Sequence, residues 1–397
     1  MPMKILFLPL ITRGSALGSI SRCLAMAEVL REQGHQTLFL TNSLSAAHVE
    51  RFGFDYLVGA MPPPPGDFHP MHDLADVAVY LKLTEESYIR QALQREWETV
   101  EQFDPDVMVS EFKLTAPITA SRAGLPLVST ACTPAMPGFV SRLYQGEPRL
   151  DHSEALEGFN RILNELGQEA IHSVAELFYG RSQVKLAPTS PELEPALGEV
   201  PNLCYVGYLL HHAMEHGDLP PELQAPARES RLVFTYLSTG ELGPKIYTKV
   251  LPGAFEGSRF HVAVATGNHP DLPELPAPTA NLSYHRFLPG MSMLEASRAY
   301  LSHGGQNSVV SAMLAGVPSL LFPGGDFERY FNSRQAAKLG AARNLPIQEF
   351  APEKLRQHLR DLLESSCAQK AAAAGERLRV LGGPRRAAEM VLQAVEA

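Results

Sequence analysis

The chain has 397 residues, of which 45% are hydrophobic and 19% are charged. Its length suggests two domains of ordinary size, each able to bury a core. The formal net charge is −9, from 34 Lys and Arg residues against 43 Asp and Glu residues. An acidic chain without a Lys/Arg-rich tract lacks the clustered cations that neutralise phosphates, which excludes sequence-independent binding to nucleic acid.

The four cysteines are scattered and form no Cys-x-x-Cys motif. In a chain of this length they indicate reduced thiols and no metal ligation. The apolar run at the N-terminus follows a single lysine and lacks a small-residue cleavage site, so it predicts a buried strand rather than a signal peptide. No apolar run approaches the roughly 18 residues of a membrane span. We therefore expect a cytoplasmic protein, and a homodimer stays open.

The first half of the chain alternates strands and helices, which predicts a parallel α/β sheet. Glu111 follows directly on a predicted strand at residues 105–110 and so lies at its carboxyl end, where α/β sites are built. A stiff proline run at residues 61–66 precedes His69 and His72. The predicted strands are 4–10, 36–41, 105–110, 125–130, 184–187 and 203–206, the predicted helices are 20–33, 73–103 and 153–178, and residues 12–19 are a predicted loop.

Residues 207–230 are rich in Pro, His and charge and have no sustained periodicity, so we interpret them as an interdomain linker. A second sheet begins at residues 231–237 and leads into the turn Ser238-Thr239-Gly240. Further strands are predicted at 260–265, 281–285, 300–301 and 319–322, with helices at 306–314, 352–365, 367–381 and 385–397. The predicted domains are therefore 1–206 and 231–383, followed by a final helix at 384–397.

The segment from residue 303 to 308, His-Gly-Gly-Gln-Asn-Ser, joins a strand to a helix. Such a turn exposes the unpaired N–H groups at the start of the helix, and the helix dipole adds partial positive charge there. Glycine permits close approach of a phosphate to the backbone. Further along, Glu328 and Asn332 lie at i, i+4 and therefore on one helical face. A carboxylate and an amide suit the hydroxyl groups of a sugar.

These motifs together, with Ala-Gly-Val-Pro at 315–318 and the Pro-Gly-Gly loop at 323–325, resemble the nucleotide-sugar signature of GT-B glycosyltransferases. The group they resemble is the bacterial UDP- or TDP-sugar-dependent enzymes that glycosylate natural products. The resemblance implies two Rossmann-like domains that face each other across a cleft, with the final helix at 384–397 crossing back to the first domain. It also implies inverting, metal-independent transfer of a sugar to a small-molecule acceptor, with no cofactor because the nucleotide-sugar is a co-substrate.

The resemblance implies a donor site in the second domain, where the turn at 303–308 binds the diphosphate. In the family an Asp/Glu-Gln pair holds the sugar, and here Glu328-Arg329 replaces it. Arg329 is expected either to favour a sugar with a carboxylate or other acceptor groups or to form a surface salt bridge. Phe287 is either the platform of the nucleobase or a core residue. The expected donor-binding residues are Gly18, Ser238, Thr239, Gly240, Phe287, His303, Gly304, Gly305, Gln306, Asn307, Ser308, Glu328, Arg329 and Asn332.

The acceptor side departs from the family. Ser19 stands where the family has the His that deprotonates the acceptor, and Glu111 stands in place of the Asp that orients that His. A serine is no base near neutral pH without help. Glu111 is either the base itself or a solvated loop residue or helix cap. His69 and His72 are either substitutes for the base or solvent-exposed loop residues. A further alternative is an acceptor that needs little deprotonation, such as an amine, a thiol or an acidic phenol.

The turn-rich segment after the strand at 125–130 is expected to line the acceptor pocket with Thr133, Met136, Phe139 and Tyr144. The alternative is that this segment only packs against the other domain. Because the donor motif is intact and the acceptor pair is altered, a second function stays open. The chain would then be a catalytically silent protein that binds nucleotide-sugar or activates a partner. A different reaction on the same donor, such as epimerisation, is a third.

Overall fold

A computed structural model of the chain describes residues 1–12, 17–66, 70–237, 241–269 and 271–396. It divides into two compact units, one of Met1–His211 with Leu381–Ala397 and one of His212–Val380. The predicted boundaries at 206 and 383 lie a few residues from these. The predicted linker is not a separate segment, because residues 207–211 belong to the first unit and 212–230 to the second.

The first unit is built on a parallel sheet that has, among the described residues, seven strands in the order β3-β2-β1-β4-β5-β6-β7. Strands β1 and β4 are buried at nearly every position, as expected for a sheet covered on both faces. The elements are β1 Lys4–Pro9, α1 Leu17–Glu32, β2 Gln36–Thr41, α2 Ser43–Arg51, β3 Asp55–Val58, α3 Leu74–Tyr80, α4 Glu86–Phe103, β4 Val107–Glu111, α5 Ala116–Ala123, β5 Leu127–Thr130, α6 Ser153–Glu165, β6 Val184–Ala187 and β7 Leu203–Tyr205.

The second unit repeats this architecture with a six-stranded parallel sheet in the order β10-β9-β8-β11-β12-β13. The two sheets confirm the predicted α/β class. The elements are α7 His212–Glu215, α8 Pro221–Arg228, β8 Leu232–Tyr236, α9 Pro244–Phe255, β9 His261–Ala265, β10 Leu282–His285, α10 Gly290–Glu295, β11 Ala299–Ser302, α11 Gln306–Leu314, β12 Ser319–Leu321, α12 Phe327–Lys338, β13 Ala342–Asn344, α13 Pro352–Glu364 and α14 Cys367–Val380. The last helix, α15 Gly383–Glu396, belongs to the first unit and packs on α1.

In both sheets the strand order reverses direction beside the first strand, between β1 and β4 in one unit and between β8 and β11 in the other. Open α/β sheets bind ligands outside the carboxyl ends of their strands at this switch point. Glu111 is the last residue of β4 and pairs in register with Pro9 of β1. His303 follows β11 directly. The topology thus places Glu111 and the predicted diphosphate turn at the switch points of their own units.

Several predicted elements were wrong in length. The predicted helix at 73–103 is two helices, because the chain turns at 81–85, where Lys82 has a positive φ of 59°. The predicted helix at 153–178 ends at Glu165, followed by Gly167 with φ 66°. The predicted loop at 12–19 ends earlier, since α1 begins at Leu17. Among the described residues, no helix is both long enough and apolar enough to cross a membrane.

Candidate active site

The turn after β11 has a backbone that requires glycine. Gly304 has φ 83°, a region that residues with a side chain rarely adopt. A Cβ at this position would overlap Oγ of Ser333 and lie 3.1 Å from the carbonyl oxygen of Arg329. The turn therefore packs directly on α12, which brings two separate parts of the predicted donor motif together. Gly305 is the N-cap of α11 and provides no capping side chain.

The imidazole of His303 is buried and lies close to the start of α11. Its Nδ1 is 3.3 Å from the carbonyl oxygen of Tyr236, and its Nε2 is 2.9 Å from where a Cβ on Gly305 would lie. Burial, followed by the positive charge of Arg329, lowers the pKa of His303 to about 3. The ring is therefore neutral near neutral pH. In the neutral ring Nδ1 carries the proton that it donates to Tyr236, and Nε2 carries a lone pair.

Ser308, in the first turn of α11, is oriented by the sheet. Burial raises the pKa of the Tyr300 phenol to about 12. Hydrogen bonds link this phenol with Ser302 and Ser308, and they oppose the rise. The hydroxyl of Ser308 thus has a structural partner in this structure. Gln306 and Asn307, at the start of the same helix, are half-buried.

Helix α12 begins with a side-chain cap, since Asp326 accepts a hydrogen bond from the backbone N of Arg329 at 3.0 Å. Arg329 also forms an ion pair with Asp326, with 3.4 Å between Nε and Oδ2. One turn after Glu328, the amide of Asn332 is buried. Neither Nδ2 of Asn332 nor Oγ of Ser333 has a hydrogen-bond partner in the part of the chain that the structure describes. Buried polar groups of this kind point to a missing ligand or water.

Glu241 was missed by sequence reasoning. Its Oε1 accepts a hydrogen bond from the backbone N of Gly325 at 2.5 Å, so the turn after β8 holds the glycine loop after β12. A Cβ on Gly324 would lie 2.9 Å from this carboxyl group. The order of the strands could have indicated this contact. The turn with Glu241 follows β8, the glycine loop follows β12, and both strands lie near the switch point. The predicted residues Ser238, Thr239 and Gly240, which precede Glu241, are outside the described residues.

Phe287 is 67% exposed. The interpretation of Phe287 as a core residue was therefore wrong. The neighbouring Arg286 fixes the segment, since its guanidinium donates hydrogen bonds to the carbonyl oxygens of Leu272 at 2.7 Å and Pro273 at 2.6 Å. The aromatic ring thus projects from an anchored backbone after β10.

In the first unit, Glu111 is fully buried, so its interpretation as a solvated loop residue or helix cap was wrong. The Nε of Arg22 donates to Oε1 of Glu111 at 2.7 Å, and Nη2 of Arg22 contacts the same oxygen. Oε2 has no hydrogen-bond partner among the described residues. Arg22 was missed by sequence reasoning, although it lies one helical turn after Ser19 and on the same face of α1.

Ser19 also has a structural contact. Its Oγ accepts a hydrogen bond from the backbone N of Leu10 at 3.1 Å, and the residue is buried. The hydroxyl group therefore fixes the start of α1 against the end of β1. Gly18, the residue before it, is half-buried in the first turn of α1.

A small cavity is lined by Leu10, which follows β1, and by residues 112–115, which follow Glu111 and β4. Phe112, in its wall, has φ 55°, a strained conformation for an aromatic residue. Lys113 is buried, with Nζ 3.1 Å from the phenol oxygen of Tyr88 and 3.4 Å from Oε1 of Glu96. Burial lowers the pKa of Lys113, but Tyr88 and Glu96 outweigh it and raise that pKa above its usual value. The lining residues are Leu10, Leu83, Tyr88, Phe112, Lys113, Leu114 and Thr115.

The predicted acceptor-binding residues divide into two sets. Thr133 and Met136 face residues 194–197, because Thr133 binds Glu194 and Pro195 and Sδ of Met136 accepts from the backbone N of Leu197. Phe139 is buried, and Tyr144 is half-buried beside His72, with 5.9 Å between the ring centroids. His72 is 2% exposed, so its interpretation as a solvent-exposed residue was wrong. His69 is outside the described residues.

Asp73, Asp76 and His152 lie within ligand distance of one another. We assign no metal to them, because both oxygens of Asp73 have partners. Oδ1 accepts from the backbone N atoms of Ala75 and Asp76, and Oδ2 binds the guanidinium of Arg149 at 2.5 Å. The guanidinium already supplies the positive charge that a cation would bring.

Comparison with known proteins places this geometry in context. Residues 259–395 match the family described as the C-terminal domain of erythromycin biosynthesis protein CIII-like proteins. Over 346 residues the chain is 24% identical to the NDP-glycosyltransferase YjiC of Bacillus subtilis (strain 168), which covers 86% of this chain and 85% of that protein.

Solved structures share the fold over the whole chain. The calicheamicin glycosyltransferase CalG4 superposes with a TM-score of 0.79 at 21% identity, covering 100% of this chain and 99% of that chain. The spinosyn rhamnosyltransferase SpnG, in its complex with thymidine diphosphate, superposes with a TM-score of 0.71 at 16% identity, covering 100% of both chains. At these identities the likeness establishes the fold.

Proposed function

We propose that this chain is a GT-B glycosyltransferase of the natural-product type, as its similarity to such proteins supports, and that it transfers a sugar from a UDP- or TDP-sugar to a small-molecule acceptor with inversion at the anomeric carbon. The observation that carries this proposal is the turn at 303–305, where Gly304 brings bare backbone to the N-terminus of α11 at the switch point of a parallel sheet. The thymidine diphosphate bound to SpnG supports a nucleoside diphosphate as the ligand.

The diphosphate is the leaving group of the reaction, and its negative charge grows as the bond to the anomeric carbon breaks. Backbone N–H groups at the start of α11 are preorganised donors for that charge. We propose that these groups, rather than a divalent cation, stabilise the leaving diphosphate. Phe287, exposed on an anchored turn, would stack on the nucleobase.

His303 would change its protonation state when the donor binds. In the free protein its Nδ1–H is directed at Tyr236, so Nε2 of the neutral ring accepts rather than donates. A diphosphate near Nε2 favours the protonated ring, in which both nitrogens donate. We therefore propose that binding of the donor is coupled to uptake of a proton by His303.

The sugar would lie along α12. Glu328 supplies a carboxylate in the first turn, and Asn332 supplies a buried amide whose Nδ2 lacks a partner among the described residues. Hydroxyl groups of a hexose would form hydrogen bonds with this carboxylate and this amide. These bonds would position the anomeric carbon for in-line attack. The ion pair of Arg329 with Asp326 orients the guanidinium over the start of the same helix.

On the acceptor side, Ser19 and Glu111 form an atypical pair in the proposal. Glu111 forms a buried ion pair with Arg22, whose side chain is 10% exposed. Removing one partner of a buried ion pair costs about 3–5 kcal/mol. We therefore assign Glu111 a positioning role through Arg22 and α1, and Ser19 a role in fixing the end of β1.

The test is transfer by the purified protein. It is incubated with UDP-glucose, TDP-glucose and TDP-rhamnose and a panel of phenol, alcohol, amine and thiol acceptors, and products are analysed by mass spectrometry and by NMR for anomeric configuration. The proposal expects a glycoside of inverted configuration that also forms in the presence of EDTA. Retained configuration would contradict the inverting mechanism, and loss of transfer in EDTA would contradict metal independence.

A second candidate function is a silent protein that binds the nucleotide-sugar and activates a partner. The observation that favours it is that Ser19 accepts a hydrogen bond from Leu10 and Glu111 accepts one from Arg22. Both side chains therefore have structural roles, and neither is assigned as the base. Binding of donor by calorimetry, with neither transfer nor hydrolysis across the acceptor panel, would favour this function.

A further inference from the structure

A second histidine–carboxylate pair lies in the first unit, away from Ser19 and Glu111. Nε2 of His152 is 2.7 Å from Oδ1 of Asp76, and the aspartate side chain is 1% exposed. Asp76 lies in α3, and His152 precedes α6. We call this pair, with His72, Asp73 and Arg149, the His152 cluster.

The segments that carry the His152 cluster follow two strands of the first sheet. The segment with His72 and Asp76 follows β3, and the segment with Arg149 and His152 follows β5. Chain that follows parallel strands leaves the sheet at its carboxyl edge, where α/β proteins bind substrates. Leu83 and Tyr88, which line the small cavity of the first unit, share one hydrophobic core with Ala75 and Ala78 of α3.

The pair has the geometry of a base and the group that orients it. Oδ2 of Asp76 accepts a hydrogen bond from the backbone N of His72 at 2.7 Å, so the carboxylate is fixed at both oxygens. An imidazole whose Nε2–H donates to a carboxylate has its lone pair on Nδ1. The His152 side chain is 26% exposed, which leaves the ring open to a substrate.

His72 provides an independent sign of a ligand. Its side chain is 2% exposed, yet neither ring nitrogen has a hydrogen-bond partner among residues 1–12, 17–66, 70–237, 241–269 and 271–396. A buried polar group without a partner costs about 1–3 kcal/mol. Its ring contacts Tyr144 edge-on, and its carbonyl oxygen accepts from the backbone N of Ser141. A hydroxyl-bearing acceptor would supply the missing hydrogen bond.

Building on the proposed function, we propose that His152 is the catalytic base that deprotonates the acceptor hydroxyl, oriented by Asp76, and that His72 binds the same acceptor. The acceptor O–H proton moves to Nδ1 of His152 while the oxygen forms its bond to the anomeric carbon. The bond from that carbon to the diphosphate oxygen breaks, and its electron pair leaves with the diphosphate. The proton on His152 then passes to solvent.

The first test uses His152→Asn, since asparagine is favoured at the start of a helix and so preserves α6. His172→Asn is the matched control, because His172 is an exposed histidine of the same unit. With an aliphatic alcohol as acceptor, kcat/KM should fall about a hundredfold or more in His152→Asn, the range for loss of a general base. His172→Asn should keep the wild-type rate and melting temperature.

Acceptors of different acidity distinguish a structural role of His152 from a role in proton transfer. With an acidic phenol or thiol that is already ionised at the assay pH, His152→Asn should lose less than about threefold, because no proton needs to be removed. Equal losses with the alcohol and with the ionised acceptor would overturn the inference. Wild-type rates in His152→Asn with the alcohol would overturn it too, while transfer by the wild type would leave the proposed function standing.

The pH profile gives a second readout. The hydrogen bond to Asp76 raises the pKa of His152, while burial lowers it, Asp73 adds to the rise and Arg149 opposes it. Asp151 lies beside the ring and caps Ser153. Because the base acts in its neutral form, kcat/KM should rise as pH increases through this raised pKa. Asp76→Asn should move the midpoint to lower pH, and an unmoved midpoint would contradict the role of Asp76.

Discussion

The donor turn of the second unit and the acceptor edge of the first unit follow the same sheet topology but are built differently. The donor turn is local, since His303, Gly304 and α12 lie within one short stretch, and glycine conformation fixes it. The acceptor edge depends on distant pairs, with Arg22 and Glu111 separated by 89 residues and Asp76 and His152 by 76. A local motif can be recognised within one segment of sequence, whereas the partners of a distant pair are brought together only by the fold.

The largest expected effect is on the stability of the acceptor edge. Glu111→Ala removes one partner of the buried ion pair with Arg22, so the free energy of unfolding should fall by about 3–5 kcal/mol, measured by urea denaturation. The double variant Arg22→Met with Glu111→Met is the control, because it removes both charges and keeps the apolar volume. It should recover most of the loss. A double variant as unstable as Glu111→Ala would show that the ion pair is not the cause.

The next effect concerns the sugar on α12. Glu328→Gln keeps the shape of the side chain but removes its charge, so we expect kcat to fall by about a hundredfold with little change in affinity for UDP or TDP alone. Glu353→Gln, in the first turn of α13 with its side chain 80% exposed, is the matched control and should behave as wild type. An equal loss of nucleotide affinity would instead place Glu328 at the diphosphate.

The coupling of donor binding to His303 predicts a smaller, pH-dependent effect. The pKa of His303 is about 3 in the free protein, and the proposed uptake of a proton requires the bound diphosphate to raise this pKa into the range of the assay. Affinity for UDP or TDP should therefore increase as pH falls from 8 to 6, by at most about tenfold per pH unit.

His303→Asn separates this effect from titration of the nucleotide phosphate. An asparagine amide donates at every pH, so only the pH dependence of the nucleotide itself should persist in this variant. Calorimetry in two buffers of different ionisation enthalpy measures the proton uptake directly. Equal proton uptake in wild type and His303→Asn would exclude His303 as the group that titrates.

The smallest effect compares two helix caps. Asp326→Ala and Asn42→Ala each remove a side chain that accepts from the first turn of a helix, α12 and α2 respectively. Each should lower the free energy of unfolding by about 1 kcal/mol. Donor affinity should fall only in Asp326→Ala, because α12 carries the predicted sugar contacts and α2 carries none. Equal loss of affinity in both variants would contradict the assignment of the donor site to α12.

The sequence predicted the parts of the molecule whose signals are local. Apolar strands and glycine turns placed β1, β4, β8 and β11, and the donor motif could be predicted because its residues are contiguous. It missed Arg22, whose partner is far along the chain, and it named His72 but missed Asp76 and His152 for the same reason. The short strand β3 was also missed, since four residues with no strong alternation carry little periodic signal.

The most direct test of the central claim is calorimetric titration of UDP and TDP into wild type, Gly305→Ala and Gly158→Ala. Gly305 has an ordinary φ of −61°, so alanine there adds no backbone strain but places a methyl group against His303 at the start of α11. Gly158, in α6, has nothing within 4 Å of an added Cβ and serves as the control. If the turn binds the diphosphate, UDP and TDP should bind measurably to wild type and Gly158→Ala. They should bind at least about tenfold more weakly to Gly305→Ala, which corresponds to about 1.4 kcal/mol. Equal affinities in all three proteins would contradict it.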